Sequence, residues 1–222
     1  MITIEKGFDQ KNRHRAAQLY SKAFERKFAK VIGKEEVIEV LLERVMNPNC
    51  SFGAYNTENK LIGLVGYHVR NQMLISISPW DFIKTFGLLS GFFKAILAHI
   101  IFHRKADNEK QLLMDGIAVD ATCRGQGVGT LLFNTLITFA KSEGYESIKL
   151  DVIDENPKAK ALYERLGFVQ KEYKKLPRLV AVLIGVKGVT TMVLSLEPPI
   201  MTTYNHNHKN RPCGLGGYRT FL

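Results

Sequence analysis

The chain has 222 residues, of which 45% are hydrophobic and 23% charged, the size and composition of a protein with one main globular domain. Its 31 lysines and arginines exceed its 21 acidic residues and give a net charge of +10, but no block of five or six like charges occurs. This spread argues against a polyanion-binding tail, and because no nucleic-acid-binding motif is present we expect no nucleic-acid partner.

The first part of the chain predicts a strand, two helices and a hairpin. Apolar residues recur at helical spacing in both helices, and the strands are short apolar runs bounded by polar turns. In chain order these elements are Ile2 to Glu5, Arg13 to Arg26, Glu35 to Val45, and the paired strands Ser51 to Tyr55 and Leu61 to Val69.

The second part alternates strands with helices that end at glycines. In chain order we predict a strand over Leu112 to Val119, a helix over Val128 to Glu143, a strand over Ser147 to Val152, a helix over Pro157 to Leu166, and strands over Phe168 to Lys174 and Val189 to Leu196. This order predicts fold class α/β (α+β): a mixed, mostly antiparallel sheet flanked by helices, in a single domain of residues 1–200.

An apolar insertion, residues 72–110, interrupts this plan. Its segment from Met73 to Phe102 carries many aromatic residues and is predicted to be mainly helical. Lys84 and Lys94 argue against a membrane span. Left uncovered, the aromatic residues would form a large apolar patch, so we expect the domain itself or self-association into a homodimer to bury most of them; a weak contact with a membrane surface is the alternative.

The C-terminal tail, residues 201–222, is predicted to be loosely ordered. His206, His208 and Cys213 could form a metal site, but no pattern supplies the remaining ligands, so a solvated tail without metal is favoured.

A glycine-rich loop follows the strand that ends at Val119: Arg124-Gly125-Gln126-Gly127-Val128-Gly129-Thr130. Its glycines allow a sharp turn with exposed N–H groups, and the helix that begins there adds unpaired donors and a positive dipole end. A pyrophosphate fits such a cradle. The loop lacks the lysine of Walker-type loops and the spacing of dinucleotide-binding loops, which disfavours NTP hydrolysis.

Two segments together resemble the GNAT superfamily of acyl-CoA-dependent N-acetyltransferases. The first runs from Met114 through the glycine-rich loop to Leu132; the second runs from Leu150 to Phe168 and contains Asn156-Pro157 and Ala161-Leu162-Tyr163-Glu164-Arg165-Leu166-Gly167-Phe168. The resemblance is strong over about Leu112 to Tyr173 and absent from Gln72 to Lys110. It implies the GNAT fold, acetyl-CoA as cosubstrate and no metal.

The resemblance assigns most cofactor contacts to the backbone. It places the pantetheine arm along Ile117, Ala118 and Val119, as an added strand, and the pyrophosphate on the loop residues Arg124, Gly125, Gln126, Gly127, Val128, Gly129 and Thr130. The resemblance also places Asn156 near the pantetheine. Asn156 is in addition the expected N-cap of the helix that begins at Pro157, a structural role that needs no ligand. Arg165 or Lys160 could reach the adenosine 3′-phosphate.

The resemblance also suggests catalytic residues. The family's leaving-group acid falls on Tyr163, whose alternative reading is core packing. Asp115 is the leading general-base candidate, because strand alternation puts it on one face with Leu113, Ile117 and Val119; alternatively, it only holds a cationic acceptor. This chain departs from histone-type members of the family, which have an acidic base at the position of Leu113. Glu25 and His68 are second choices for the base.

These observations predict an N-acetyltransferase that transfers acetyl from acetyl-CoA to a primary amine by direct attack in a ternary complex. The acceptor is a small molecule or a peptide, and the apolar insertion lies beside its cleft. The alternative is a non-catalytic acyl-CoA-binding or membrane-peripheral protein. Cys50, Cys123 and Cys213 have no paired spacing and the N-terminus shows no signal peptide, so we expect the protein to be cytoplasmic.

Overall fold

The structure is a computed structural model that describes residues 1–24, 33–69, 72–102 and 104–196, with side chains other than those of residues 97–102, 183 and 184. The strands are β1 (Thr3–Lys6), β2 (Ser51–Tyr55), β3 (Leu61–Val69), β4 (Gln72–Met73), β5 (Gln111–Val119), β6 (Ser147–Ile153), β7 (Val169–Lys175) and β8 (Gly188–Ser195). The helices are α1 (Arg13–Ala23), α2 (Glu35–Val45), α3 (Pro79–Phe86), α4 (Leu88–Phe102), α5 (Val128–Ser142), α6 (Pro157–Arg165) and α7 (Arg178–Ile184).

The strands form one mixed sheet in the order β1-β2-β3-β5-β6-β8-β7, with β4 paired to the end of β3. Among the described strands, β5 and β6 are the parallel neighbours, and all other pairs are antiparallel. The predicted α/β (α+β) class, with a mostly antiparallel sheet flanked by helices, is therefore confirmed.

The sheet is split where its two halves meet. The parallel pairing of β5 with β6 covers only Gln111–Leu113 against Ser147–Lys149, although both strands continue beyond it. Past Leu113 the edge of β5 that faces β6 has no strand beside it within the described ranges, so its backbone groups can pair with something else.

Helices cover both faces of the sheet. On one face, α1, α2 and α3 bury a first apolar cluster that includes Leu19, Leu41, Leu64 and Phe82. On the other face, α5 and α6 bury a second cluster around Leu132, Phe133, Leu136, Leu150 and Phe168. Each fully buried leucine or phenylalanine contributes roughly 1.5–3 kcal/mol relative to an exposed one, so these two clusters fix the frame in which the site is held.

The apolar insertion is mainly helical, as predicted, and its helices α3 and α4 form a pair. Ser78 caps α3, and Ser78 and Asp81 bond each other's backbone in a capping box. Gly87, with a φ of +79°, ends α3 and lets α4 turn back. At Gly91 a side chain would come within 2.6 Å of the Phe82 carbonyl oxygen, so the two helices cross in close contact.

The aromatic residues of the apolar insertion are only partly buried by the domain itself. Phe82 lies in the first cluster with 1% of its surface exposed, whereas Trp80, Phe92 and Phe93 are 66%, 56% and 70% exposed. The expectation that most of them are covered therefore depends on a second molecule. Within the described part of the chain no helix has the length and apolar character that a membrane crossing requires.

The short helix α7 does not appear among the sequence predictions. Pro177 precedes it and Gly185, in the left-handed conformation, follows it. The predicted tail, with the candidate ligands His206, His208 and Cys213, lies outside the described residues, as does Glu25.

Candidate active site

A cleft of about 1010 Å³ opens where β5 and β6 separate. Its walls come from β5, β6, the C-terminal end of α1, the glycine-rich loop with the start of α5, and one side of α6. The residues assigned first to the cofactor and to catalysis all line this cleft except Ala118 and Gln126. Of the second choices, His68 and Lys160 are not in its wall, and Glu25 lies outside the described residues. Ala118 is buried in the first cluster, and the Gln126 side chain folds back to donate to the Thr122 carbonyl at 3.0 Å.

The glycine-rich loop has the backbone of an anion cradle. Gly125 and Gly127 have φ values of +78° and +81°, and a side chain built on either glycine would meet nothing within 4 Å. Gly127 is the N-cap of α5, so the N–H groups of Val128, Gly129 and Thr130 belong to the first helical turn, where they lack helical partners. The cradle is therefore open at its glycines and carries the positive end of a helix dipole.

Asp120 fixes the entry to this loop. Its side chain accepts hydrogen bonds from the backbone and hydroxyl of Thr122 at 2.9 and 2.6 Å, and it pairs with Arg15 of α1. The bonds from Thr122 and the Arg15 guanidinium lower the pKa of Asp120 to about 2. Because the Asp120 carboxylate stays ionised at neutral pH, its ion pair with Arg15 holds the start of the loop against α1.

Tyr163 lies in the cleft on α6 and is 9% exposed. Burial raises the pKa of its hydroxyl to about 12, and the charge of Arg104 opposes this rise. The ring packs edge-on against Phe168, with centroids 5.5 Å apart. Tyr163 thus packs in the second cluster and lines the cleft, and its hydroxyl remains protonated at neutral pH.

Asn156 and Lys160 occupy structural positions on α6. The Asn156 side chain accepts from the backbone of Ala159 at 3.2 Å, as the predicted N-cap does, and Asn156 also lines the cleft. The Lys160 ammonium instead binds Gln170 at 2.8 Å and is not part of the cleft wall, whereas Arg165 is. Of the two cations considered for the 3′-phosphate, Arg165 is the one that lines the cleft.

The predicted alternation along β5 is wrong at Asp115. The register of β3 against β5 shifts between Gly66 and Tyr67, so an extra residue is accommodated in β5 near Asp115 and Gly116. Ile117 and Val119 pack with the second cluster, whereas the Asp115 side chain lies beside Gly66 and Leu74 on the face of the first cluster. The β-bulge therefore turns Asp115 to the opposite face from Ile117 and Val119.

Asp115 belongs to a buried group of three side chains, which we call the Asp115 cluster: His68, Arg104 and Asp115. His68 Nε2 and Arg104 Nη2 each lie 2.6 Å from Asp115 Oδ1. The three side chains are only 13%, 16% and 8% exposed. Asp115 itself lines the cleft, as do Lys22, Ala23 and Phe24 at the end of α1.

Comparison with known sequences decides the family. A sequence profile of the acetyltransferase (GNAT) family matches residues 13–168. The chain belongs to the GNAT family. The resemblance of the two segments around the glycine-rich loop and Tyr163 is thereby confirmed, and the matched range includes the apolar insertion.

Individual relatives of this GNAT protein match a shorter stretch. An uncharacterised N-acetyltransferase of Methanocaldococcus jannaschii is 46% identical over 59 residues, 27% of this chain and 26% of the relative. Human N-acetyltransferase 8B is 38% identical over 60 residues, again 27% of this chain and 26% of the relative. The aligned segment thus spans about a quarter of each of these relatives.

Solved structures agree on the GNAT fold. An N-acetyltransferase from Staphylococcus aureus Mu50 superimposes with a TM-score of 0.54 at 14% identity, covering 89% of this chain and 99% of that one. The shared architecture therefore extends well beyond the segment whose sequence is similar.

Three residues in or around this cleft were not predicted as site residues from the sequence. Arg104 follows the apolar insertion and has no motif around it. Tyr20 is buried, and its pKa is raised well above its ordinary value by burial and then by Asp115. The Phe24 ring covers Gly116, since a side chain there would come within 2.3 Å of it. The apolar periodicity of α1 predicted Tyr20 and Phe24 only as core residues.

Proposed function

We propose that the protein transfers an acetyl group from acetyl-CoA to a primary amine, by direct attack in a ternary complex. The observation that supports this most is the continuous cleft, which joins an open glycine cradle at one end to a buried carboxylate at the other, with Tyr163 in its wall. The cradle suits a pyrophosphate, and the unpaired edge of β5 suits the amide groups of a pantetheine arm.

The cofactor end would be held mainly by backbone groups. The first-turn N–H groups of α5 and the Arg124 side chain would bind the diphosphate, and Arg165 is available for the 3′-phosphate. Backbone groups of Ile117 and Val119 would bind the pantetheine arm. Acetyl-CoA, when bound, supplies an activated thioester carbonyl.

Two side chains of the protein would then transfer protons, one as an acceptor and one as a donor. As the amine nitrogen bonds to the acyl carbon, Asp115 accepts the proton that the nitrogen gives up. As the carbon–sulfur bond breaks, Tyr163 donates its proton to the departing thiolate. Because burial raises the pKa of Tyr163 to about 12, its hydroxyl is present in the donating form at neutral and mildly alkaline pH.

The test is the release of free thiol from acetyl-CoA over a panel of amines: peptides with free N-termini, lysine peptides, polyamines and small amino compounds. We expect release with at least one amine and formation of the acetylated product in equal amount. Tight acetyl-CoA binding by calorimetry without thiol release over the whole panel would support the alternative, a non-catalytic acyl-CoA-binding protein.

We also propose partners and a compartment. The acceptor is a small molecule or a peptide amine. For the exposed aromatic residues of α3 and α4 we propose a weak contact with an anionic membrane surface, because Trp80 and Phe93 are exposed, the same two helices carry Lys84 and Lys94, and the chain has a net charge of +10. The unpaired spacing of the cysteines supports a reducing compartment, the cytoplasm.

A further inference from the structure

The apolar insertion is attached at both ends to the Asp115 cluster. Near its start, Met73 of β4 pairs with His68 of β3. Near its end, Arg104, two residues after α4, donates from Nη2 to Asp115 Oδ1 at 2.6 Å and from Nη1 to the Met114 carbonyl at 3.3 Å. His68 Nε2 lies 2.6 Å from the same carboxylate oxygen. The end of the insertion therefore contacts Asp115 directly through Arg104, and its start pairs with the strand residue His68, whose side chain contacts the same carboxylate.

Because Asp115 is buried, its carboxylate depends on these contacts for its charge balance and its orientation. With only 8% of its side chain exposed, the Asp115 carboxylate has little hydration, and the Arg104 guanidinium balances its charge. A guanidinium that bonds both the carboxylate and the preceding backbone carbonyl restricts the orientation of Asp115 as well as its position. An exposed lysine could supply the charge but not this two-point contact.

The β-bulge explains why Asp115 needs such support. The extra residue turns Asp115 away from Ile117 and Val119, to the face on which Arg104 and His68 lie, and Gly116 reaches a φ of +142° beneath the Phe24 ring. The backbone here does not follow regular strand geometry, so the side chains around it determine where the carboxylate points.

We infer that Arg104 and His68 are positioning residues, which hold the Asp115 carboxylate at the acceptor end of the cleft, so that the apolar insertion is part of the active-site assembly. This inference rests on the proposed function. It separates the two ends of the site: the groups proposed to bind the cofactor lie outside the insertion, whereas acceptor handling depends on the insertion.

The experiment compares Arg104→Ala, Arg104→Lys and His68→Gln with the wild type in steady-state kinetics. We expect Arg104→Ala to lower kcat/KM for the amine by about 10² while acetyl-CoA affinity stays within about twofold, because a displaced catalytic group costs rate without touching the cofactor loop. Arg104→Lys should recover part of the loss, and added guanidinium ion should partly rescue Arg104→Ala. Lys105→Ala, which removes the neighbouring exposed cation, is the matched control and should behave as wild type.

A second measurement does not depend on turnover. The ring resonances of His68 in NMR spectra should shift in Arg104→Ala and not in Lys105→Ala, because the carboxylate between them moves. If Arg104→Ala does not fold, the kinetics of Arg104→Lys and His68→Gln are compared with the wild type instead. Equal kinetics for Arg104→Ala and Lys105→Ala would overturn the inference while leaving the proposed function intact. If the wild type releases no thiol with any amine, the proposed function fails, and unchanged His68 resonances would then remove the inference as well.

Discussion

At the scale of single residues, Gly127 shows how a backbone angle becomes a binding site. It caps α5 with a φ of +81° and leaves open space where a side chain would project. We expect Gly127→Val to abolish acetyl-CoA binding, because the side chain would enter the cradle, and to cost in addition roughly 1–2 kcal/mol of stability for the left-handed backbone. Calorimetric titration and thermal unfolding measure the two effects.

Gly144→Val is the matched control. Gly144 follows α5 with a φ of +79° and equally open surroundings, but it does not line the cleft. The two variants should lose similar stability, and only Gly127→Val should lose cofactor binding. Normal acetyl-CoA affinity in Gly127→Val would remove the glycine-rich loop from the cofactor site.

Tyr163 is the residue whose hydroxyl the proposed reaction needs. Tyr163→Phe keeps the ring against Phe168 but removes the proton donor, so kcat should fall by about 10² with acetyl-CoA affinity unchanged. Tyr173→Phe removes a phenol that binds Asp154 outside the cleft and should leave kcat unchanged. Full activity in Tyr163→Phe would mean that Tyr163 serves only packing.

At the residue level, the sequence indicated which residues lie together where a local pattern carries the signal. The glycines around Arg124 and the segment that ends at Phe168 are contiguous motifs, and the structure gathers them in one cleft. The orientation of Asp115 was mispredicted because alternation assumes a regular strand, and a β-bulge depends on the partner strand. Arg104 was missed because its contact with Asp115 spans a helical pair that no motif describes.

At the scale of elements, the apolar insertion has a well-capped first helix and an exposed second one. We expect Trp80, the chain's single tryptophan, to shift its fluorescence to shorter wavelength when vesicles containing anionic lipid are added. The physical reason is that Trp80 and Phe93 would enter the interface while Lys84 and Lys94 stay near the head groups. Salt should reverse the shift, and neutral vesicles should produce less of it.

Two variants sharpen this vesicle test. Phe93→Glu places a charge on the 70% exposed face of α4 and should abolish the shift, whereas Val169→Glu, at an equally exposed position on β7, should not. A fluorescence shift that depends on protein concentration without lipid, together with a dimeric mass by light scattering, would instead show that a second copy covers the face.

Sequence periodicity predicted most of the elements, including the helical character of the apolar insertion. It missed α7, because a seven-residue apolar run between two strands has no distinctive period. Periodicity also gives no information on which elements are neighbours. The split between β5 and β6, which creates the cleft, follows from the pairing of β6 with β8 along its whole length and with β5 for only three residues.

At the scale of the whole molecule, buried tyrosines link stability to alkaline pH. Burial raises the pKa of Tyr55 and of Tyr163 to about 12, and it raises the pKa values of Tyr20 and Tyr67 as well. Above pH ~10 the unfolded chain releases these protons while the folded protein keeps them, so the unfolded state binds fewer protons and the free energy of unfolding falls as pH rises. The loss of unfolding free energy due to Tyr55 and Tyr163 begins at a pH near the ordinary tyrosine pKa and levels off above a pH of about 12.

We therefore expect urea unfolding between pH 9 and 11 to show a steep loss of stability, to which each such tyrosine contributes at most ~1.4 kcal/mol per pH unit. Lysines titrate in the same range, so the comparison with Tyr55→Phe is the informative one: Tyr55 is 3% exposed and lies away from the cleft. Removing its hydroxyl should make the pH dependence shallower by up to that amount and leave catalysis unchanged. An identical slope in wild type and variant would mean that Tyr55 ionises equally well in the folded protein, and that burial does not hold its proton.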